Sequence, residues 1–113
     1  LEDRVRVIGA IVPAHWRFEV ENSLLIGERR GRITEADSAH FLRLLRDMPI
    51  EIDERPFPGV LGDVLPLARE YRLTAYDAAY LELSMRRGLA LATFDDDLEA
   101  AGREAGVQLV DLS

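Results

Sequence analysis

The chain has 113 residues, enough for one domain with a hydrophobic core and too few for a second. Hydrophobic residues make up 48% and charged residues 31%, as in a soluble globular protein, and no apolar run approaches the roughly 20 residues of a membrane span. All 14 basic residues are arginine, and the absence of lysine excludes Walker A loops and Schiff-base chemistry. Cysteine is also absent, which excludes thiolate zinc sites. The net charge of −7 argues against a broad basic nucleic-acid-binding face.

The predicted elements of the first half are three helices and one short apolar strand. Gly9 suits the end of the first helix, Pro13 suits the first turn of the second, and Thr34 suits the start of the third. The predicted segments are a helix over residues 1–8, a strand over 10–12, and helices over 13–30 and 34–48.

The second half continues the alternation of strands and helices. The predicted segments are strands over residues 50–53, 89–93 and 107–110, a loop over 55–59, and helices over 60–72, 74–87 and 95–105. Pro66 lies inside the helix predicted over residues 60–72 and counts against it. Short apolar strands between helices predict an α/β fold, with a parallel sheet covered by helices and ligands at the carboxyl ends of the strands.

Asp77 permits two interpretations. It is the third residue after Thr74, as in a capping box, and Thr34 and Asp37 have the same spacing. At about 100° per residue, however, Asp77 shares a mostly apolar helix face with Leu81. A carboxylate directed at a packed face needs a partner, often a metal ion. The sequence leaves both interpretations open.

Glu19 lies at the edge of an apolar stripe that includes Trp16, Val20 and Leu24. For an isolated glutamate, a solvated place on the helix surface is favoured over a functional one, because acidic residues are seldom buried. His15 is similarly interpreted as a surface or packing residue. With two histidines in the chain, a histidine-rich zinc site is not credible.

Three consecutive carboxylates, Asp95, Asp96 and Asp97, follow the strand predicted to end at Thr93. An N-cap with an acidic first turn explains them without further chemistry. Adjacent carboxylates also repel one another, and a cation would relieve that repulsion. Their place at the carboxyl end of a strand favours a functional site.

A basic run, Arg29, Arg30 and Arg32, lies at the end of the second predicted helix. Its simplest interpretation is a solvated helix end. The alternative is contact with a phosphate backbone.

Three segments together resemble successive motifs of the PIN-domain ribonucleases of the VapC toxin type. They are VPAHWRFEVENSL at residues 12–24, YRLTAYDAAYL at 71–81 and LATFDDDL at 91–98. The matching frame covers nearly the whole chain. The Tyr-Asp-Ala-Ala-Tyr motif is quite specific, and the Thr-x-Asp motif is less so.

The resemblance implies a three-layer α/β/α sandwich with a five-stranded parallel sheet. It also implies an endoribonuclease that depends on Mg²⁺ or Mn²⁺, ions that carboxylate clusters bind. The residues that it places at the site are the catalytic metal ligands Glu19, Asp77 and Asp95, a further metal ligand at Asp97, and the substrate contacts Thr93 and Arg30.

The implied partners are RNA, a VapB-like antitoxin and a second copy of the chain in a homodimer. An antitoxin arginine is expected to block the acidic pocket, since arginine pairs bidentately with carboxylates. Phe18 and Leu25 would offer apolar surface to either protein partner. No export signal is recognised, so the cytoplasm is the expected compartment.

One departure from the family pattern concerns the first strand. The family begins with a central strand that carries an aspartate, and nothing before Leu1 supplies it. Residues 1–113 are therefore expected to be a single PIN-like domain truncated at its N-terminus. We expect this chain alone to be nearly inactive as a ribonuclease, because metal affinity depends on the number of carboxylate ligands.

Two other functions are compatible with the sequence. The first is a non-catalytic PIN-like module that docks an antitoxin or another protein. The second is a receiver-like domain phosphorylated in an acidic pocket, and the absence of lysine counts against it. Metal-dependent RNA cleavage distinguishes the enzyme from both.

Overall fold

Short parallel strands and helices alternate along the chain, as the sequence predicts. The structure is a computed structural model that describes residues 10–55, 62–93 and 95–110. The chain divides into two compact units, Leu1–Ile52 and Asp53–Ser113. The predicted helix over residues 1–8 and nearly all of the loop predicted over 55–59 lie outside the described residues.

The elements of the first unit are β1 (Ala10–Val12), α1 (Trp16–Arg29), α2 (Glu35–Arg46) and β2 (Ile50–Ile52). The two strands pair in parallel, with Ala10 opposite Ile50 and Val12 opposite Ile52. Parallel neighbours require a crossover connection, which α1 and α2 provide. The strands and helices predicted from residue 10 to the end of this unit, and the parallel arrangement of the strands, are confirmed.

The start of α2 is fixed by local hydrogen bonds. The Asp37 N–H donates to Thr34 Oγ1 at 3.1 Å, and the Thr34 N–H donates to Asp37 Oδ2 at 2.9 Å. These reciprocal bonds form a capping box, which satisfies two N–H groups that have no partner inside the helix. Hydrogen bonding from Thr34 lowers the pKa of Asp37 below its ordinary value.

The helices of the second unit are α3 (Val64–Tyr71), α4 (Ala75–Arg87) and α5 (Asp96–Ala105). Pro66 is the third residue of α3, where a backbone N–H would have no partner inside the helix, so it does not break the helix. Within the three described ranges, no helix is both long and apolar enough to cross a membrane.

The strand predicted over residues 89–93 is reduced to one bridge. The Leu89 N–H donates to the Ser84 carbonyl at 3.0 Å, so Leu89 still belongs to the turn that closes α4. Among the described residues, Leu91 alone of this segment pairs as a strand residue, in a parallel bridge with Leu109. The last predicted strand, over 107–110, contracts to the other half of this bridge, because the Val107 N–H donates to the Gly102 carbonyl at 3.0 Å and Val107 still belongs to the turn that closes α5.

The core of the second unit lies between α4, α5 and the bridge. Leu81, Leu91, Leu98 and Ala101 are 0%, 5%, 4% and 4% exposed. Gly102 lets α5 approach the bridge closely, because a Cβ atom there would lie 2.9 Å from Leu91 Cδ2. The short bridge is thus held by packing against α5 as well as by its hydrogen bonds.

Candidate active site

Glu19 lies in the first turn of α1 and is partly buried. The imidazole Nε2 of His15 is 3.6 Å from Glu19 Oε1, at the i,i+4 spacing of a helical pair. Trp16 and Val20 are also partly buried, which is consistent with the predicted apolar stripe. This contact between His15 and the Glu19 carboxylate was not predicted from the sequence. The spacing of four residues could have indicated it.

Asp77 lies in the first turn of α4 and is partly buried, whereas Asp37, at the same place in α2, is exposed. The Asp77 N–H donates to Thr74 Oγ1 at 3.1 Å, so Thr74 is the cap that the sequence predicts. One turn further along, Leu81 is fully buried. Asp77 therefore stands on an apolar face, as expected from the helical spacing.

Asp95 combines a capping role with an available oxygen. Its Oδ1 accepts from the Leu98 N–H at 2.8 Å, and its own N–H donates to Thr93 Oγ1 at 3.0 Å. Its Oδ2 has no partner among the described residues. The N-cap interpretation is confirmed, and it leaves one carboxylate oxygen for a ligand. Asp96 and Asp97 are exposed in the first turn of α5.

The predicted ligands belong to different units. Glu19 lies in Leu1–Ile52, and Asp77, Asp95 and Asp97 lie in Asp53–Ser113. Within the described part of either unit, no three carboxylate or imidazole groups form a set that could hold a metal ion. The chemistry of the donors fits Mg²⁺ or Mn²⁺, which prefer carboxylate oxygens. Their convergence on one pocket stays a prediction.

The first unit also contains an apolar cleft of about 530 Å³ between α1, α2 and β2, which we call the α1–α2 cleft. Phe18 and Leu25 are 60% and 44% exposed, as the sequence predicts. The residues that line the cleft are Trp16, Arg17, Val20, Glu21, Leu42, Leu45, Arg46, Met48, Ile50 and Ile52.

An ion-pair network in the second unit was not predicted. Arg86 donates to Glu82 at 2.7 Å and to Asp53 at 2.6 Å, and both carboxylates raise the pKa of Arg86 above its ordinary value. Arg55 pairs with Asp63 at 2.5 Å. The i,i+4 spacing of Glu82 and Arg86 gives a signal for one of these pairs. No sequence pattern connects Asp53 with Arg86, which are 33 residues apart.

Comparison with known proteins points to one family. The PIN domain model matches residues 2–104. Ribonuclease VapC3 from Pyrobaculum aerophilum is 33% identical over 81 residues, which make up 72% of this chain and 62% of that protein. The crystal structure of PAE2754 from Pyrobaculum aerophilum matches with a TM-score of 0.67 and 32% identity, covering 80% of this chain and 60% of the other. The chain thus spans about three-fifths of the length of these relatives.

Proposed function

We propose a ribonuclease function for this chain, because it belongs to the PIN-domain family and is of the VapC type. It would be the toxin of a toxin–antitoxin pair, acting in the cytoplasm, where cellular RNA is found. It would hydrolyse RNA phosphodiesters with the help of a divalent cation, Mg²⁺ or Mn²⁺. The name of the relative Ribonuclease VapC3 supports this activity.

The observation that carries the proposal is the burial of Asp77. An aspartate that serves only as a capping residue can stay exposed, as Asp37 does at the same place in α2. Asp77 is instead partly buried on a face that includes the fully buried Leu81. A carboxylate at this position is a suitable ligand for a divalent cation, which prefers carboxylate oxygens.

The proposed ligands are Glu19, Asp77 and Asp95, with Asp97 as a further one. When bound, Mg²⁺ or Mn²⁺ would supply positive charge that offsets the charge building on a phosphodiester under attack by water. Oδ2 of Asp95 would bind the ion while Oδ1 keeps its bond to the Leu98 N–H, so the helix cap holds the ligand in place. Thr93, which accepts from the Asp95 N–H, would hold the backbone of Asp95 and also contact the substrate.

The cleavage test compares two aspartates at equivalent helix positions. The full-length gene product should cleave RNA with Mg²⁺ or Mn²⁺ and stop when EDTA removes the metal. Asp77→Asn should abolish cleavage, and Asp37→Asn should leave it unchanged. Asp37 is the matched control, because both aspartates follow a capping threonine by three residues. Equal activity of the two variants would refute the site. The 113-residue chain in the same assay tests the expectation that it is nearly inactive alone.

Apolar surface in the first unit supports a protein partner. Phe18 is 60% exposed, and the α1–α2 cleft is open and mostly lined by apolar side chains. We expect a VapB-like antitoxin, with an arginine directed at the carboxylates, or a second copy of the chain to use this surface. Sizing of the protein purified with and without its operon neighbour tests this. A strict monomer in both preparations would contradict it.

The same surface favours one alternative function, a non-catalytic module that docks a protein. Under this alternative the gene product binds its partner, and metal-dependent cleavage of RNA is absent from preparations freed of that partner. Cleavage that disappears in Asp77→Asn would exclude the alternative.

A further inference from the structure

We propose that Arg29, Arg30 and Arg32, which we call the arginine turn, hold the phosphate backbone of the RNA substrate. This inference rests on the proposed ribonuclease function and adds to it the residues that bind the substrate. All three side chains are exposed at the end of α1. Hydrogen bonds fix the backbone of the turn, its guanidinium groups form no ion pair within the described residues, and the guanidinium group suits phosphate.

The backbone of the arginine turn is held in one conformation. The N–H of Gly31 donates to the Glu28 carbonyl at 3.0 Å, and that of Arg32 donates to the Gly27 carbonyl at 2.9 Å. Gly31 has φ of 69°, which favours glycine. Ile33 packs on Gly27 so closely that a Cβ atom there would lie 3.1 Å from its side chain. A fixed backbone lowers the entropy lost when the arginines bind a ligand.

Two acidic residues close to the turn in the sequence have hydrogen-bond partners outside it. Glu28 Oε2 accepts from the Ser38 hydroxyl at 2.5 Å, and Asp37 Oδ2 accepts from the Thr34 N–H at 2.9 Å. Among the described residues, the guanidinium groups of the arginine turn make no hydrogen bond or ion pair. The start of α2 thus engages Glu28 and Asp37, and the third acidic residue there, Glu35, forms no ion pair with the turn within the described residues.

Three arginines of the second unit behave differently, although Arg69 in that unit forms no ion pair within the described residues. Arg55, Arg86 and Arg103 each pair with at least one carboxylate, at 2.5 to 2.9 Å for the shortest contact. In a chain with a net charge of −7, carboxylates are abundant enough to pair with every arginine. Stabilisation of the helix dipole explains a cation in the last turn of α1, which is Arg29, but Arg30 and Arg32 follow that turn.

Phosphodiesters suit the chemistry of this surface. Each guanidinium can donate two parallel hydrogen bonds to one phosphate. The turn offers no exposed aromatic ring on which a base could stack, and Ile33 is turned toward Gly27. The arginine turn should therefore bind RNA through its backbone, with little preference for sequence.

The test measures RNA binding as a function of salt. The full-length gene product carrying Asp77→Asn, which should not cleave, is titrated with a labelled single-stranded RNA oligonucleotide at several salt concentrations. Each phosphate contact contributes about 0.7 to the slope of log K against log salt for a single strand. Replacing all three arginines of the turn by glutamine should therefore make the slope shallower by about 2. Replacing them by lysine should keep most of it, because the charges remain.

A control variant removes the same number of charges elsewhere. Arg43, Arg46 and Arg69 are exposed arginines that form no ion pair within the described ranges, and their replacement by glutamine should change the slope much less. In the cleaving protein, the glutamine variant of the turn should raise KM and leave kcat unchanged. Thermal denaturation of each variant checks that its fold is intact.

The outcomes separate this inference from the proposed function. If the glutamine variant of the turn cleaves RNA with an unchanged salt slope and KM, the arginine turn does not bind the substrate, and the proposed ribonuclease function still stands. A salt slope that depends on these arginines, in a protein that never cleaves RNA, would support RNA binding by the arginine turn and refute the ribonuclease function. Equal loss of slope in the control and turn variants would also overturn the inference, since it would indicate general electrostatics.

Discussion

At the scale of single residues, Asp95 has a structural task and a proposed chemical one. Its Oδ1 caps α5 by accepting from the Leu98 N–H, and its Oδ2 is available to a ligand. Asparagine caps a helix about as well as aspartate, but it is a much poorer ligand for a hard cation. Asp95→Asn should therefore unfold at nearly the same urea concentration as the native chain and lose metal-dependent cleavage.

Asp95→Ala completes this comparison. It removes the cap as well as the ligand, so it should lose cleavage and also about 1 kcal/mol of unfolding free energy. Urea denaturation followed by circular dichroism gives the stabilities, and RNA cleavage gives the activities. If Asp95→Asn cleaves RNA normally, Asp95 is only a cap, and the proposed site is wrong at this residue.

Gly102 offers a second prediction at this scale, about packing. A Cβ atom there would lie 2.9 Å from Leu91 Cδ2, 3.1 Å from Val107 Cγ2 and 3.2 Å from Leu109 Cδ2. Overpacking costs about 1–3 kcal/mol, and the gain in helix propensity from glycine to alanine offsets up to about 1 kcal/mol. Gly102→Ala should therefore lower the unfolding free energy by about 1–2 kcal/mol.

The matched control for this substitution is Gly27→Ala. Its new Cβ atom would meet one neighbour, Ile33, at 3.1 Å, and Gly27 is only partly buried. The same gain in helix propensity applies, so its unfolding free energy should change little. A larger loss for Gly27→Ala than for Gly102→Ala in urea denaturation would show that close packing of α5 on the bridge is not what Gly102 provides.

At the scale of elements, the second unit depends on the ion pairs of Arg86. This residue joins α4 to Asp53, a carboxylate 33 positions away, and both Asp53 and Glu82 have 14% exposed side chains. Removing one partner of a fully buried pair costs about 3–5 kcal/mol, and the 23% exposure of Arg86 reduces this. Arg86→Gln should therefore lower the unfolding free energy by about 2 kcal/mol.

A surface pair on α5 gives the control for this prediction. Arg103 and Glu99 have the same i,i+4 spacing as Arg86 and Glu82, but the Arg103 side chain is 70% exposed. Arg103→Gln should cost no more than about 0.5 kcal/mol. Urea denaturation of the two variants decides the matter: similar small losses would show that solvent screens the Arg86 network as it screens a surface pair.

Helices were predictable because their signals are local. Thr34, Thr74 and Asp95 were each expected to start a helix, and each accepts a hydrogen bond from an N–H three residues later. Strand lengths were less predictable, since they depend on partners. The apolar run after Gly88 looks like a strand throughout, but Leu89 is still bonded to Ser84, which no apolar pattern indicates.

At the scale of the whole molecule, the residues of the candidate site could be predicted, but their convergence could not be derived from the sequence pattern. The resemblance to the family indicated Glu19, Asp77 and Asp95, and the structure adds that Asp77 is partly buried and that Oδ2 of Asp95 has no partner among the described residues. Whether three carboxylates share one ion depends on long-range packing, which a motif does not encode. The resemblance to the family supplied that expectation, and a measurement on the whole molecule is needed to test it.

Metal binding should stabilise both units together if the three carboxylates share an ion. A ligand that binds the folded state at about 100 times its Kd raises the unfolding free energy by about 2.7 kcal/mol. Because Glu19 lies on α1 and Asp77 on α4, Mn²⁺ should slow amide hydrogen exchange in both helices of the full-length gene product.

Asp77→Asn should remove the protection of α1 as well as that of α4, whereas Asp37→Asn should preserve both. Protection confined to α4 and α5 would mean that Glu19 is not a ligand of the same ion, and the three-carboxylate site would then be wrong whatever the cleavage assay shows.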